Sequence, residues 1–165
     1  MVIEQEQAGW LKNFINTKSI DWKLYKYVKN EVAPPGAGIE LSRARILLVS
    51  SAGAYLPAQD KPFHAANLLG DYSIRTFPTN TPASNLEYAH DHYDQTAVRE
   101  DSQVLLPLGH LQELVDQNVI GGLSEKVVSF MGYQPFTGRV LKKTFPAILH
   151  IVREEDVDAV LLVPS

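Results

Sequence analysis

From residue 42 onward, short unbroken apolar runs alternate with segments whose apolar positions recur every three or four residues. Arg45-Ile46-Leu47-Leu48-Val49-Ser50 is the first such run and ends in small polar residues. An unbroken run of that length suits a strand buried on both faces. Ser73-Ile74-Arg75-Thr76-Phe77 alternates instead and stops at Pro78, which predicts a second strand. Val127 to Met131 before Gly132 predicts a third, and Ala159 to Val163 before Pro164 a fourth. Between these runs the spacing predicts helices over Ala83 to Tyr93, with Ser84 as cap, over Leu108 to Asn118, and over Thr137 to Glu155. Pro146 falls inside the last one, where its missing N–H and fixed φ predict a kink or restart. Strands alternating with helices imply an α/β fold: an open, mainly parallel sheet with flanking helices, flavodoxin- or Rossmann-like.

The first part of the chain has another character. Trp10, Leu11, Phe14 and Ile15 share one helical face, and Leu24, Tyr25 and Val28 repeat the pattern. Such a helix packs on its own domain or docks on a partner. Ala33-Pro34-Pro35-Gly36-Ala37-Gly38 then reads as a connector, since proline fixes φ and glycine frees it. Two parts are expected: a helical arm with its connector over residues 1–38, and an α/β domain over 39–165 that is incomplete at its carboxyl end.

Composition narrows the chemistry. The net charge of −4 over 165 residues argues against a nucleic-acid groove or an anionic-membrane surface, which need a basic face. Cysteine is absent, which excludes disulfides, thiolate zinc sites, iron–sulfur clusters and a cysteine nucleophile within these residues. Glu4, Glu6, Lys12 and Lys18 interrupt any signal-like start, and no apolar run approaches the roughly 20 residues that span a bilayer. A soluble, cytoplasmic protein is expected.

Ligands of open α/β sheets sit outside the carboxyl ends of the strands. Four segments are predicted there. Ser50-Ser51-Ala52-Gly53-Ala54-Tyr55 offers small residues that let a ligand approach the backbone, and hydroxyls that bond it. The alternative is a plain tight turn. Gly70-Asp71-Tyr72-Ser73 leads into Arg75, whose fork can clamp a substrate carboxylate or form a structural ion pair with Asp71 or Asp60. His90-Asp91-His92-Tyr93-Asp94 is the densest cluster of functional side chains. It can serve acid–base chemistry or a metal, with His64 and His110 as further donors, or simply end a polar helix. Spacing weakens the metal reading, because helical zinc pairs stand at i, i+4 and these histidines at i, i+2. Met131-Gly132-Tyr133 allows a sharp turn and brings a phenol toward the same crevice. Lys142-Lys143 and Glu154-Glu155-Asp156 read as a solvated helix face and its end.

Ser51-Ala52-Gly53-Ala54-Tyr55, Gly70-Asp71-Tyr72-Ser73 with Arg75 and Pro78, Asp91-His92-Tyr93-Asp94, and Ser129-Phe130-Met131-Gly132-Tyr133 occur in that order. Together they resemble the glycine/sarcosine/betaine/D-proline reductase selenoprotein B family, most closely its proline-reductase-like branch, over about Ser42 to Ser165. The resemblance implies reductive cleavage of a C–N bond by a selenol or thiol nucleophile, with a dithiol or thioredoxin-like electron donor. It also implies a partner subunit bearing a pyruvoyl group, and oligomeric assembly. It makes His92 and Asp94 candidates for proton transfer. Ser51, Gly53, Tyr55, Asp71, Arg75, Tyr93, Met131, Gly132 and Tyr133 become candidates for shaping the substrate crevice, with no metal. The family's selenocysteine or cysteine follows closely after a strand like Leu161-Leu162-Val163-Pro164. The chain is therefore expected to be the amino-terminal part of such a subunit, inactive alone. The alternatives are a non-catalytic flavodoxin-like binding domain and a metal hydrolase built on His90, His92 and Asp94.

Overall fold

The computed structural model describes residues 38–89 and 95–165, all within one compact unit, Gly36–Ser165. The expected helices over residues 1–33 and the 90–94 cluster lie outside the described residues.

Strand β1 (Arg45–Ser50) has every residue after Arg45 buried, as an unbroken apolar run demands. Along one edge, β7 (Ala159–Val163) pairs with it in parallel over its whole length from Ile46 to Ser50. Its other edge is shared by two parallel strands: β5 (Gly122–Leu123) at its start and β6 (Lys126–Phe130) at its end. Beyond β6 lies β3 (Ile74–Pro78), in full antiparallel register from Ile74↔Phe130 to Pro78↔Lys126. A separate two-stranded ribbon joins β2 (Ala54–Tyr55) to β4 (Glu87–Tyr88).

The sheet is thus mostly parallel, as expected, with one reversed strand. Its reversal has a simple cause. After β1 the chain makes the ribbon strand β2 and then a run of turns, with no crossover helix before β3. It therefore re-enters the sheet from the edge at which it left, and the strand must run backwards.

Alternate side chains of β1 enter opposite layers. Leu47 and Val49 join Val128 beneath Ile148, Ile151 and Val152 of helix α4 (Phe145–Glu154). Ile46 and Leu48 join Phe77 and Val127 on the other side. That layer is closed by Val98 of α1 (Thr96–Glu100), by Leu105 and Leu106, and by Leu111 of α2 (Leu108–Asp116). α2 ends as its sequence suggests, with Asn118 in the left-handed region at φ 57°.

The expected helix over Ala83 to Tyr93 does not form in its described part. A 3-10 turn over Ala83–Asn85 gives way to β4, with Leu86 and Tyr88 buried and Glu87 exposed. Burial at every second position is worth more here than the weak helical spacing. The helix expected over Thr137 to Glu155 is interrupted: a short α3 (Thr137–Arg139), a π-type segment over Val140–Thr144, then α4 with Pro146 in its first turn. Proline at 146 clashes with the carbonyl four residues back in an α-helix, and the wider turn relieves that clash. β7 forms where expected, but Val160, Leu161 and Leu162 are exposed, since β1 is its sole sheet neighbour among the described residues. No helix of the described residues is long and apolar enough to cross a membrane.

The acidic run at the end of α4 is not simply solvated. Glu155 is 9% exposed. Its carboxylate accepts hydrogen bonds from Ser124 Oγ at 3.1 Å and the Glu125 N–H at 3.0 Å, and pairs with Lys126 Nζ at 3.1 Å. Burial alone would raise its pKa, but the bonds from Lys126, Ser124 and Glu125 and the charge of Lys126 hold it below the usual 4.5. A depressed carboxylate pKa stabilises the fold fully above the unfolded value and loses that contribution as pH falls through the folded one. Glu155→Gln should therefore cost about 1–3 kcal/mol near pH 7. The difference from the parent should shrink in urea unfolding curves as pH is lowered below 4.5. An unchanged gap across that range would contradict the assignment.

Candidate functional site

Three of the four predicted segments meet at the carboxyl ends of β1 and β6. Ser50 and Ser129 sit opposite each other in register, both fully buried. The chain then turns back: Ala52 bridges Met131, and the Gly53 N–H donates to the Phe130 carbonyl at 3.0 Å. Gly53 has φ +66°, and a Cβ there would lie 2.9 Å from the Met131 sulfur and 3.3 Å from the Ala89 oxygen. Both conformation and space require glycine. Ala89 N–H in turn donates to the Gly53 carbonyl, so this loop anchors the chain just before the 90–94 cluster. Ser51 faces β7: its hydroxyl accepts from the Ser165 N–H at 2.7 Å and lies 2.9 Å from the Ser165 hydroxyl. Tyr55 stands opposite Glu87 in the ribbon.

The second loop reaches the same edge because β3 starts there, with Ile74 opposite Phe130. Asp71 organises it. One carboxylate oxygen accepts from the Ser73 N–H at 2.9 Å and the Ser73 hydroxyl at 2.5 Å, and the other from the His64 N–H at 3.0 Å. Burial works against the charge, yet these bonds and the nearby Arg75 cation lower the Asp71 pKa overall. Arg75 is engaged by its own neighbourhood. Its guanidinium donates to the Lys61 carbonyl, the Ser73 hydroxyl and the Ile74 carbonyl, and stacks 4.4 Å from the Phe63 ring.

The third loop closes on the second. Gly70, at φ +77°, is wedged so that a Cβ would lie 2.8 Å from Pro135 and 3.0 Å from the Tyr133 carbonyl. The Tyr133 hydroxyl donates to the Leu68 carbonyl at 3.2 Å, and its pKa is raised by burial and by nearby Tyr72. Gln134 donates to the Asp71 carbonyl and to Thr144 Oγ1, and Thr144, buried in the π segment, donates to the Tyr72 carbonyl. The Tyr72 hydroxyl accepts from the Phe136 N–H at 2.8 Å. Gly132 lies exposed at the turn itself.

The second loop and the helical segment after β6 border an open cleft of about 380 Å³ lined by His64, Asn67, Asp71, Ser73, Arg139 and Lys143 among others; Ser51, Gly53, Met131, Gly132 and Tyr133 are not in its lining. A second cavity, of about 500 Å³, lies at the opposite edge between Thr79, Leu108, Gln112 and Ser124. None of its lining residues is ionisable, so it offers nothing for acid–base or charge recognition. The charged cleft is the better candidate.

The structure therefore gathers Ser51, Gly53, Met131, Gly132 and Tyr133 at one sheet edge with Asp71 and Arg75. Tyr93, His92 and Asp94, with His90 and Asp91, lie outside the described residues. Of the two further histidines, His64 lines the cleft, while His110 faces Glu113 on α2. Among the described residues no group of three or more His, Asp or Glu side chains could hold a metal. Sequence reasoning passed over Arg139 and read Lys143 as part of a solvated helix face; both side chains are exposed where they line the cleft. The available signal was their spacing of four on one helix, just after an aromatic-bearing loop.

Comparison with known proteins gives three results. The family model described as glycine/sarcosine/betaine reductase selenoprotein B matches residues 15–165. The chain is 32% identical over 123 residues to D-proline reductase subunit gamma of Acetoanaerobium sticklandii; the match covers 74% of this chain and 49% of that protein, so the chain spans about half the length of its curated relative. No solved structure matches.

Proposed function

Because the chain belongs to the glycine/sarcosine/betaine reductase selenoprotein B family, we propose that it forms part of the substrate crevice of a cytoplasmic amino-acid or amine reductase. The reaction is reductive cleavage of a C–N bond. The bond takes up two electrons and two protons, the nitrogen leaves as an amine, the carbon gains hydrogen, and a dithiol donor becomes a disulfide. These 165 residues contain no cysteine. The selenolate or thiolate that attacks the carbon is therefore supplied from outside them. A pyruvoyl carbonyl on a partner subunit activates the amine for departure.

The observation that carries this reading is the convergence of three loops at the carboxyl ends of β1 and β6, with a charged cleft beside the second of them. Gly132 puts bare, exposed backbone at those strand ends, where a reactive group from another segment can approach, while Ser51 and Gly53 pack the adjoining turn against Ser165 and Met131. Asp71 lines the charged cleft, Arg75 and Tyr133 brace the segment that carries it through Ser73 and Leu68, and Tyr55 and Met131 stand in the adjoining loops. His92 and Asp94 are the proton carriers of this reading, and Tyr93 a further substrate contact.

The test is reconstitution with the partner subunits and a thiol- or selenol-bearing chain. Dithiothreitol-dependent consumption of D-proline, glycine, sarcosine or betaine is expected in the assembly and none by these 165 residues alone. An assembly with its redox-active residue intact that reduces none of the four would overturn the reading. The absence of cysteine also favours a second one, a non-catalytic ligand-binding domain. It would show as saturable binding at the strand ends with no reductase activity in any assembly.

A further inference from the structure

We propose that Arg139 and Lys143 form a subsite for the carboxylate of the small substrate, an inference that rests on the cleft being part of the reductase crevice. Both side chains line the same cleft as Asp71 and Ser73, one turn apart on the helical segment that follows β6. Arg139 is held by its flat faces: its guanidinium carbon lies 5.1 Å from the Phe136 ring centre and 5.7 Å from that of Tyr72. Stacking of this kind fixes a guanidinium plane and leaves its N–H edge for a ligand. Among the described residues, neither Arg139 nor Lys143 makes a side-chain hydrogen bond or an ion pair.

The nearest acid does not neutralise them. Asp71 already accepts three hydrogen bonds, from Ser73 and His64, and has Arg75 beside it. Its carboxylate is a brace for the loop. What faces the cavity is a guanidinium and an ammonium without an acid of their own. A guanidinium edge matches a carboxylate with two parallel bonds, and an adjacent ammonium adds a point charge. The volume suits a small molecule rather than a peptide chain. The helical segment that carries the cations is tied to the Asp71 loop by Gln134 and Thr144, so the backbone on which they stand is held before the ligand arrives. Binding the carboxylate here leaves the amine end of the substrate free for activation.

Two measurements test this. In the full-length protein, acetate should give a saturable shift of the Arg139 Nε–H NMR signal, lost in Lys143→Gln, whereas methylammonium should not. In the assembled reductase, Arg139→Gln and Lys143→Gln should each raise KM for the amino acid about 10- to 100-fold. Turnover should stay within about threefold, since uniform binding is what is lost, and Arg139→Lys should recover part of the affinity. Absence of the acetate shift, or unchanged KM in both variants, overturns the proposal. So does weakened subunit assembly with normal KM, which would assign the cations to an acid on the partner. If the wild-type assembly reduces no amino acid, the reductase reading falls by itself, and the acetate titration alone decides the subsite.

Discussion

Gly121→Ala is expected to destabilise the protein by about 3 kcal/mol or more, at the upper end of what an extra buried carbon costs. A Cβ at this position would run into the Arg43 carbonyl carbon and lie 2.7 Å from its oxygen and 2.8 Å from the Ala44 nitrogen. These are backbone atoms, and no rotamer change can move them away. They belong to the 3-10 turn over Leu41–Arg43 and its exit into β1. The Gly121 N–H also bonds the Leu41 and Ala44 carbonyls, at 2.9 and 3.1 Å, so the two backbones cannot separate without breaking those bonds. Gly122 provides the control. Nothing lies within 4 Å of its Cβ position, and Gly122→Ala should change stability by less than about 0.5 kcal/mol. Urea unfolding of both variants decides the matter. Equal stabilities would show that the turn yields, and that the amino edge of the sheet is softer than its contacts imply.

Phe77→Ala should be comparably damaging, by about 3–5 kcal/mol. Phe77 is 1% exposed in β3, opposite Val127, and joins the layer that contains Ile46, Leu48, Leu106 and Leu111. Truncation removes the ring's transfer energy and leaves a void between the reversed strand and the helices over it. For a domain whose total stability is about 5–15 kcal/mol, that is a large fraction. Leu162→Ala makes the contrast. Leu162 is 68% exposed, and its loss should fall near the surface range of about 0.5 kcal/mol. A smaller loss at Phe77 than at Leu162 would mean that Phe77 does not sit in a packed layer.

Strands β1 and β7 and helix α2 were legible because each is specified by its own residues: unbroken apolar runs for the strands, a three-to-four spacing with an Asn–Gly stop for the helix. Their boundaries differ from the expectation by a residue or two at most. The ribbon β2–β4 was not legible, because two-residue strands carry a single alternation, Leu86-Glu87-Tyr88, which a helical spacing can imitate. The direction of β3 depends on the route of the preceding loop rather than on β3 itself. At the site, the glycines and small residues at the strand ends announced the edge, because strand polarity alone places them there. Arg139 and Glu155 did not announce themselves. The rings that hold Arg139 include Tyr72, distant in sequence, and the donors to Glu155 stand 30 and 31 residues away. A charged side chain on a helix looks the same in sequence whether it meets water or a neighbour.

The wide turn over Val140–Thr144 has a consequence for how this protein can change. It inserts one extra residue between two functions of a single helical segment: Arg139 and Lys143 face the cleft, and Ile148 and Ile151 face the sheet. The two faces are thus phased against each other by one residue, about 100° of rotation. Deleting Val140, Leu141 or Lys142 would take that extra residue out, bring back the clash at Pro146 and rephase Arg139 against α4, while Lys143, on the α4 side of the deletion, would keep its phase. It would also force a choice, because with α4 seated on β1 and β6 Arg139 would be turned away from the loop at Asp71 and parted from Lys143. Chain length here is a specificity determinant in its own right, and descendants of this chain can exchange many residues of the turn more readily than they can lose one.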